Sequence, residues 1–288
     1  MERTLAPRNV GDILRETFTI YSKNFLRLAA IVVMVQIPIA ILYVAAEFIP
    51  GFGEEWGGIL SSSIPSSSIP INILVGILLG LIALIAGIVM QGAMIHAISE
   101  QYFNRPVNIG RAFGFSWRRT GIMLGAQLLV LLAIASVFLI IFGVPTAIHF
   151  AAHGGVGLGA SLAILVMMLI IGSPAAIYLG INWVFVLQTA LLEGCGTRAA
   201  LSHSSELVKG SWWRVLGILL LLILIVVAII YAPVAIGAGI GLMASAYLPV
   251  TIKAMIWIGA IIWYVVVALI TAPIITIGET LLYFDLRV

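Results

Sequence analysis

Long apolar runs, almost free of charge, alternate along this chain with four short basic patches, a pattern that a water-soluble fold has no means of hiding. Thirteen of the fourteen Lys and Arg residues lie in the patches. Arg3, Arg8, Arg15, Lys23 and Arg27 form the first, and Arg105, Arg111, Arg118 and Arg119 the second. Arg198, Lys209 and Arg214 form the third, Arg287 stands at the end, and Lys253 alone lies elsewhere. Between patches one and two, and again between two and three, there is room for an even number of membrane crossings. The positive-inside rule produces that partition when the basic loops stay cytoplasmic. The chain is therefore expected to be a multi-pass membrane protein with both termini in the cytoplasm.

Composition agrees. Hydrophobic residues make up 62% and charged residues 9%, against roughly 45–50% and about 25% in soluble domains. The net charge of +3 is small, but its one-sided placement predicts attraction to anionic lipid headgroups on the cytoplasmic face. A nucleic-acid partner would need a basic groove interleaved with aromatics, which the sequence does not offer. Cys195 is the only cysteine, so no intrachain disulfide or multi-cysteine metal site is possible. The first apolar run begins near Leu26, after a leader containing Asp12 and Glu16. That run is too long, and its leader too mixed in charge, for a cleaved signal peptide, so the first crossing is expected to stay as an anchor.

Six spanning helices are expected, near 26–48, 70–98, 121–148, 161–190, 213–241 and 254–284. Each exceeds the length of about 20 residues that a crossing needs. Pro38, Pro174 and Pro273 fall inside them and should bend their helices, since proline removes a backbone donor. The first outward loop, 49–69, carries Glu54, Glu55 and the repeated Ser-Ser-Ser-Ile-Pro of 61–70. The second, around 151–160, is glycine-rich and holds His153; the third contains Tyr247 and Pro249.

Each of the first three patches also contains an amphipathic segment. Val10, Ile13, Leu14, Phe18 and Tyr21 share a face in the first; Ile109, Ala112, Phe113 and Trp117 in the second; Ala200, Leu201, Leu207 and Val208 in the third. Such stripes suit helices lying in the headgroup layer. Lys23-Asn24-Phe25-Leu26-Arg27 opens span one, while Lys209-Gly210-Ser211-Trp212-Trp213-Arg214 opens span five with one extra residue, and Arg118-Arg119-Thr120-Gly121 is a weaker third copy. The pattern predicts three parallel repeats, 9–98, 108–190 and 197–284, within a single membrane domain.

Small residues four apart, Gly76 with Gly80, Ala83 with Gly87 and Gly237 with Gly241, predict close helix packing within the bundle. His96, His149, His153 and His203 have no second ligand at metal spacing, and no catalytic, metal or cofactor site is expected. Ser202-His203-Ser204-Ser205-Glu206 reads as the polar face of an interfacial helix, because neighbours on a helix diverge.

The middles of the six spans carry no ionisable residue, which argues against ion- or proton-coupled transport. Their neutral polar residues include Gln36, and Gln91, Gln127, Asn182 and Gln188 are the candidate lining of any central path. Glu193, Arg198, Arg214, Glu279, Asp285 and Arg287 are expected to form a charged collar at the inner face. Within it Glu193 should pair with Arg198, Arg214 or Arg287, at a hydrated level where such a pair is worth about 1 kcal/mol.

Leu192-Glu193-Gly194, Ala199-Ala200, Ser204-Ser205-Glu206-Leu207-Val208-Lys209-Gly210, Trp212-Trp213-Arg214 and the ending Thr280-Leu281-Leu282-Tyr283-Phe284-Asp285-Leu286-Arg287 form a recurring pattern. It resembles the membrane domain found with some bacterial glycerophosphoryl diester phosphodiesterases and also as free-standing proteins, over most of the chain. The resemblance implies a six-helix membrane domain of the bacterial cytoplasmic membrane. It implies no enzyme activity, because the diesterase chemistry belongs to a separate soluble barrel for which these spans leave no room. The expected role is thus a non-enzymatic scaffold, accessory subunit or lipid-associated factor, in contact with the bilayer and with a membrane-protein partner. The alternative is a permease or exporter of a lipid-like or apolar small molecule.

Topology is open to direct test. With Cys195 replaced, single cysteines at Ser67 and Gly155 should label from outside intact cells and one at Ser116 should not. The reverse pattern would refute the orientation.

Overall fold

The computed structural model of the protein describes residues 9–46, 69–103, 105–143, 168–244 and 250–287, with the separate positions 146, 147, 159, 163 and 166. The first outward loop up to residue 68, His149, His153, Tyr247 and Pro249 lie outside the described residues. Eight α-helices are described: α1 (Val10–Ala46), α2 (Ile69–Tyr102), α3 (Ile109–Phe138), α4 (Ser173–Asn182), the single turn α5 (Val186–Gln188), α6 (Thr197–Val208), α7 (Trp212–Ala244) and α8 (Val250–Leu286). Three five-residue π-helical segments, Leu139–Gly143, Met168–Gly172 and Thr189–Glu193, interrupt the α pattern. No strand occurs among the described residues.

Among the described residues, six stretches are long and apolar enough to cross a membrane: Val10–Ala46, Ile73–Tyr102, Ile109–Ile141, Ile170–Glu193, Trp212–Tyr231 and Leu269–Leu286. The fold is all-α and polytopic, as the apolar runs predict. Leu74, Leu131, Leu132, Ile170 and Leu224 point outward. Exposed aliphatic surface on this scale is stable against lipid tails and unstable against water.

The chain forms two compact units, one of Gly11–Thr120 with Leu221–Gly278, the other of Met1–Val10, Gly121–Leu220 and Glu279–Val288. In the first unit, α1 buries Ile13, Thr17, Ile20, Asn24, Leu28 and Ile31, at intervals of three and four. This stripe differs from the expected one, for Val10 and Phe18 are exposed. Thr17 and Asn24 are tolerated inside because each bonds its own helix: Thr17 Oγ1 donates to the Ile13 carbonyl at 2.8 Å, and Asn24 Nδ2 to the Ile20 carbonyl at 3.2 Å.

The basic segment of α1 runs unbroken into its span, as does that of α3, so neither is a separate surface helix. The Asn108 side chain caps α3 by accepting the Arg111 N–H at 3.1 Å. Ser116 is fully buried and donates to the Val89 carbonyl of α2 at 2.9 Å. Trp117, 66% exposed, is therefore the better position for the inward cysteine of the topology test. Pro38 and Pro273 lie within continuous α-helices, and Pro174 follows directly on the π turn Met168–Gly172, whose backbone runs into α4 without a break.

The contacts expected of Gly76, Gly80 and Gly87 are not found among the described residues, and the surroundings of Gly237 and Gly241 lie outside them. A Cβ added at Gly76, Gly80 or Gly87 meets nothing within 4 Å among the described residues. At Gly278 it collides with the buried side chain of Leu222, so here α8 and α7 approach backbone to side chain with no room for a methyl. Gly278→Ala should lower thermal stability in detergent by about 1–3 kcal/mol, the usual cost of overpacking. Gly80→Ala should not, and equal melting of the two variants would refute this packing.

Candidate functional site at the end of the fourth span

The second unit is built around a broken helix. Between α4 and α5, residues Trp183–Phe185 form a turn, and Phe185 and Val186 are buried there. The break leaves backbone groups without helical partners, and in an apolar setting each must find another. Ser204 of α6 supplies one. Its Oγ accepts the Phe185 N–H at 3.2 Å and donates to the Asn182 carbonyl at 2.9 Å. Thr189 Oγ1 lies 3.1 Å from the Ala200 carbonyl, which ties the π-helical segment to the same helix. The buried positions of α6 are Ala200, Ser204 and Val208, spaced by four. Ser204 thus faces inward, which corrects the expectation that the whole Ser-His-Ser-Ser-Glu run is a solvated face.

Unlike the basic ends of α1 and α3, α6 is a separate helix. It begins after Gly194, which ends the π-helical segment in the left-handed conformation (φ 68°). It ends at Lys209, where Gly210 takes φ 87° before α7 starts at Trp212.

Glu193, the last π-helical residue, is the hub. Its Oε2 lies 2.6 Å from His203 Nδ1 of α6. Its Oε1 accepts the Tyr283 hydroxyl at 2.8 Å and lies 3.8 Å from Arg287 Nη1. Arg287 in turn donates to the Tyr283 oxygen at 2.9 Å. Cys195, two residues after Glu193, places its Sγ 3.5 Å from the Thr189 carbonyl. The ligand atoms of Glu193, Cys195 and His203 lie within 4.8 Å of one another.

The remaining expected collar residues occupy different settings. Arg214 at the start of α7 pairs with Asp285 near the end of α8 at 2.5 Å, and the Asp285 side chain is only 4% exposed. Glu279 accepts from Gln188 Nε2 at 3.4 Å. Arg198 is exposed and makes no ion pair among the described residues. Of the candidate path-lining residues, Gln188 is buried with its Oε1 lacking a partner among the described residues, and Asn182 borders a cavity. Gln127 is half-buried and Gln91 exposed.

That cavity, of about 410 Å³, is lined by Tyr178, Asn182, Ser205, Glu206, Lys209 and Trp212, among others. Its wall is aromatic, with the Tyr178 and Trp212 rings 5.9 Å apart. One charge of each sign stands at its rim. Trp212 Nε1 is buried without an acceptor among the described residues.

The elements that carry the hub, the cavity and the buried ion pair all fall in one stretch of sequence. Residues 158–285 match the family described as the membrane domain of glycerophosphoryl diester phosphodiesterase. The match spans α4 to α8 and takes in every residue of the hub except Arg287. It is shorter than the likeness over most of the chain that the sequence motifs imply. No curated protein and no solved structure matches the chain.

Sequence reasoning missed His203, Tyr283 and Ser204 as parts of this site. Glu193 and His203 are ten residues apart, and only the reversal at Gly194 brings them together. Ser204→Ala should destabilise the protein by about 1–3 kcal/mol, because it strands a buried N–H and a carbonyl. Ser205→Ala, beside it on the half-exposed face, should change melting little. Equal melting of Ser204→Ala and wild type would show that the broken span needs no splint.

Proposed function

We propose that the protein is a non-enzymatic, lipid-associated scaffold or accessory subunit of the bacterial cytoplasmic membrane. Its basic patches and both termini face the cytoplasm, where they meet anionic headgroups and a membrane-protein partner. The observation that carries this reading is the cavity where α6 meets α7. Lys209 offers a cation for a lipid phosphate, while Ser205 and Asn182 offer neutral polar groups, and the rings of Tyr178 and Trp212 suit the headgroup level. Trp213, 78% exposed next to Arg214, and Trp117 next to Arg118 repeat the pairing of an interfacial aromatic with a cation. Three parallel units, 9–98, 108–190 and 197–284, would each present one such end. An exporter of a lipid-like molecule is the second reading, favoured by the unpartnered Oε1 of buried Gln188.

Protein reconstituted with equal phosphatidylglycerol and phosphatidylcholine, then stripped in steps and weighed by native mass spectrometry, should retain phosphatidylglycerol preferentially. Lys209→Gln, at an exposed position, should reduce that preference about fivefold, the factor matching roughly 1 kcal/mol per surface cation near anionic lipid. Identical lipid retention by variant and wild type would remove the basis for the reading.

A further inference from the structure

We infer that Glu193, Cys195 and His203 form a binding site for a borderline-soft transition-metal dication, Zn²⁺ being the best fit. The three side chains bring one carboxylate oxygen, one thiol sulfur and one imidazole nitrogen within 4.8 Å of one another. Such a donor set matches zinc chemistry and disfavours Mg²⁺ and Ca²⁺, which take shells of six or more oxygens.

The geometry needs little change to accept the ion. Glu193 Oε2 and His203 Nδ1 are 2.6 Å apart, joined by one hydrogen bond. Zn–O and Zn–N bonds of about 2.0–2.1 Å at a tetrahedral angle would separate the same atoms by about 3.3 Å, so a metal replacing that hydrogen bond opens the pair by less than 1 Å. Cys195 completes the cluster, its Sγ within 4.8 Å of the other two ligand atoms. It lies between Gly194 and Gly196, and a Cβ added at Gly196 would meet nothing within 4 Å among the described residues.

Charge also balances. Binding releases the Cys195 thiol proton, while the imidazole ligates through Nδ1 with its own proton on Nε2, and the thiolate and carboxylate then neutralise the dication. Arg287, the nearest cation, has a side chain 52% exposed and can withdraw into water.

The surroundings resemble those of a built site. Tyr283 donates to Glu193 Oε1 at 2.8 Å, leaving Oε2 directed at His203, which is how an outer partner orients a ligating carboxylate. The His203 side chain is 46% exposed while that of Glu193 is 15% exposed, so an ion reaches the cluster from the α6 side. Three protein ligands leave a fourth position for water or for a group from another molecule. Once bound, the metal joins the end of the fourth span to α6, a cross-link between elements otherwise tied by hydrogen bonds.

The test uses the full chain in detergent, carrying no oligohistidine tag. Titration with Co²⁺ should give a near-ultraviolet thiolate-to-cobalt charge-transfer band that saturates at one ion per chain and is abolished by added Zn²⁺. The band should be absent from Cys195→Ser. Tyr283→Phe should weaken Co²⁺ affinity about tenfold, the low end of what losing an outer-shell partner costs. On the wild-type protein, where folding of a variant is not at issue, Zn²⁺ should slow alkylation of Cys195 by a maleimide and Mg²⁺ should not. No saturable band, or unchanged alkylation under excess Zn²⁺, overturns the site. So does a band that survives in Cys195→Ser.

Discussion

A peptide group placed among lipid tails has no water to bond, and the break at Trp183–Phe185 makes that constraint local and acute. The fourth span does not end there, so its freed N–H and carbonyl must be met from outside the helix. Ser204 meets both, and its reach fixes where α6 can lie. Once α6 is docked through Ser204 and Ala200, His203 on its flank stands against Glu193. The hub is therefore a consequence of the splint. The position of α6 against the fourth span follows from backbone bookkeeping as much as from its pattern of side chains.

Magnitudes separate the two charged contacts of this unit. The Arg287–Glu193 approach is long and involves a half-exposed guanidinium, so by itself it resembles the surface pairs worth up to about 1 kcal/mol. Arg214–Asp285 is short, with an almost fully buried acid, and losing one partner of such a pair typically costs about 3–5 kcal/mol. The ion pair that dominates the unit is thus the one between the start of α7 and the end of α8. Glu193 is held chiefly by His203 and Tyr283, through bonds to a charged acceptor.

The spans were legible because each apolar run exceeds what a crossing needs and the basic patches divide them. The details failed where local pattern is insufficient. Thr17 and Asn24 look polar in a list of residues, yet each satisfies itself on its own helix, so the buried stripe of α1 includes them and excludes Phe18. Small residues four apart permit a close approach without requiring one, and among the described residues Gly76 and Gly80 have no close neighbour while Gly278 has a tight one. Trp183-Val184-Phe185 contains no glycine or proline, so nothing in the segment announces a break. The collar residues were recognisable as a group of charges near helix ends, but which of them meet depends on the turn at Gly194 and on a tyrosine with no charge to advertise it.

The π-helical segment Thr189–Glu193 has a consequence for how such a chain can change. A π turn holds one residue more than the α turn it replaces, and one residue is worth about 100° of rotation. Relaxing this stretch to α geometry with every residue kept would swing Glu193 by that angle, away from both Tyr283 and His203, whereas removing one residue at the same time would leave it near its present bearing. The hydrogen-bond pattern of five residues, not only their identity, therefore sets where the hub carboxylate points. A change of that pattern alone would undo the hub, with every side chain of the cluster still spelled out in the sequence.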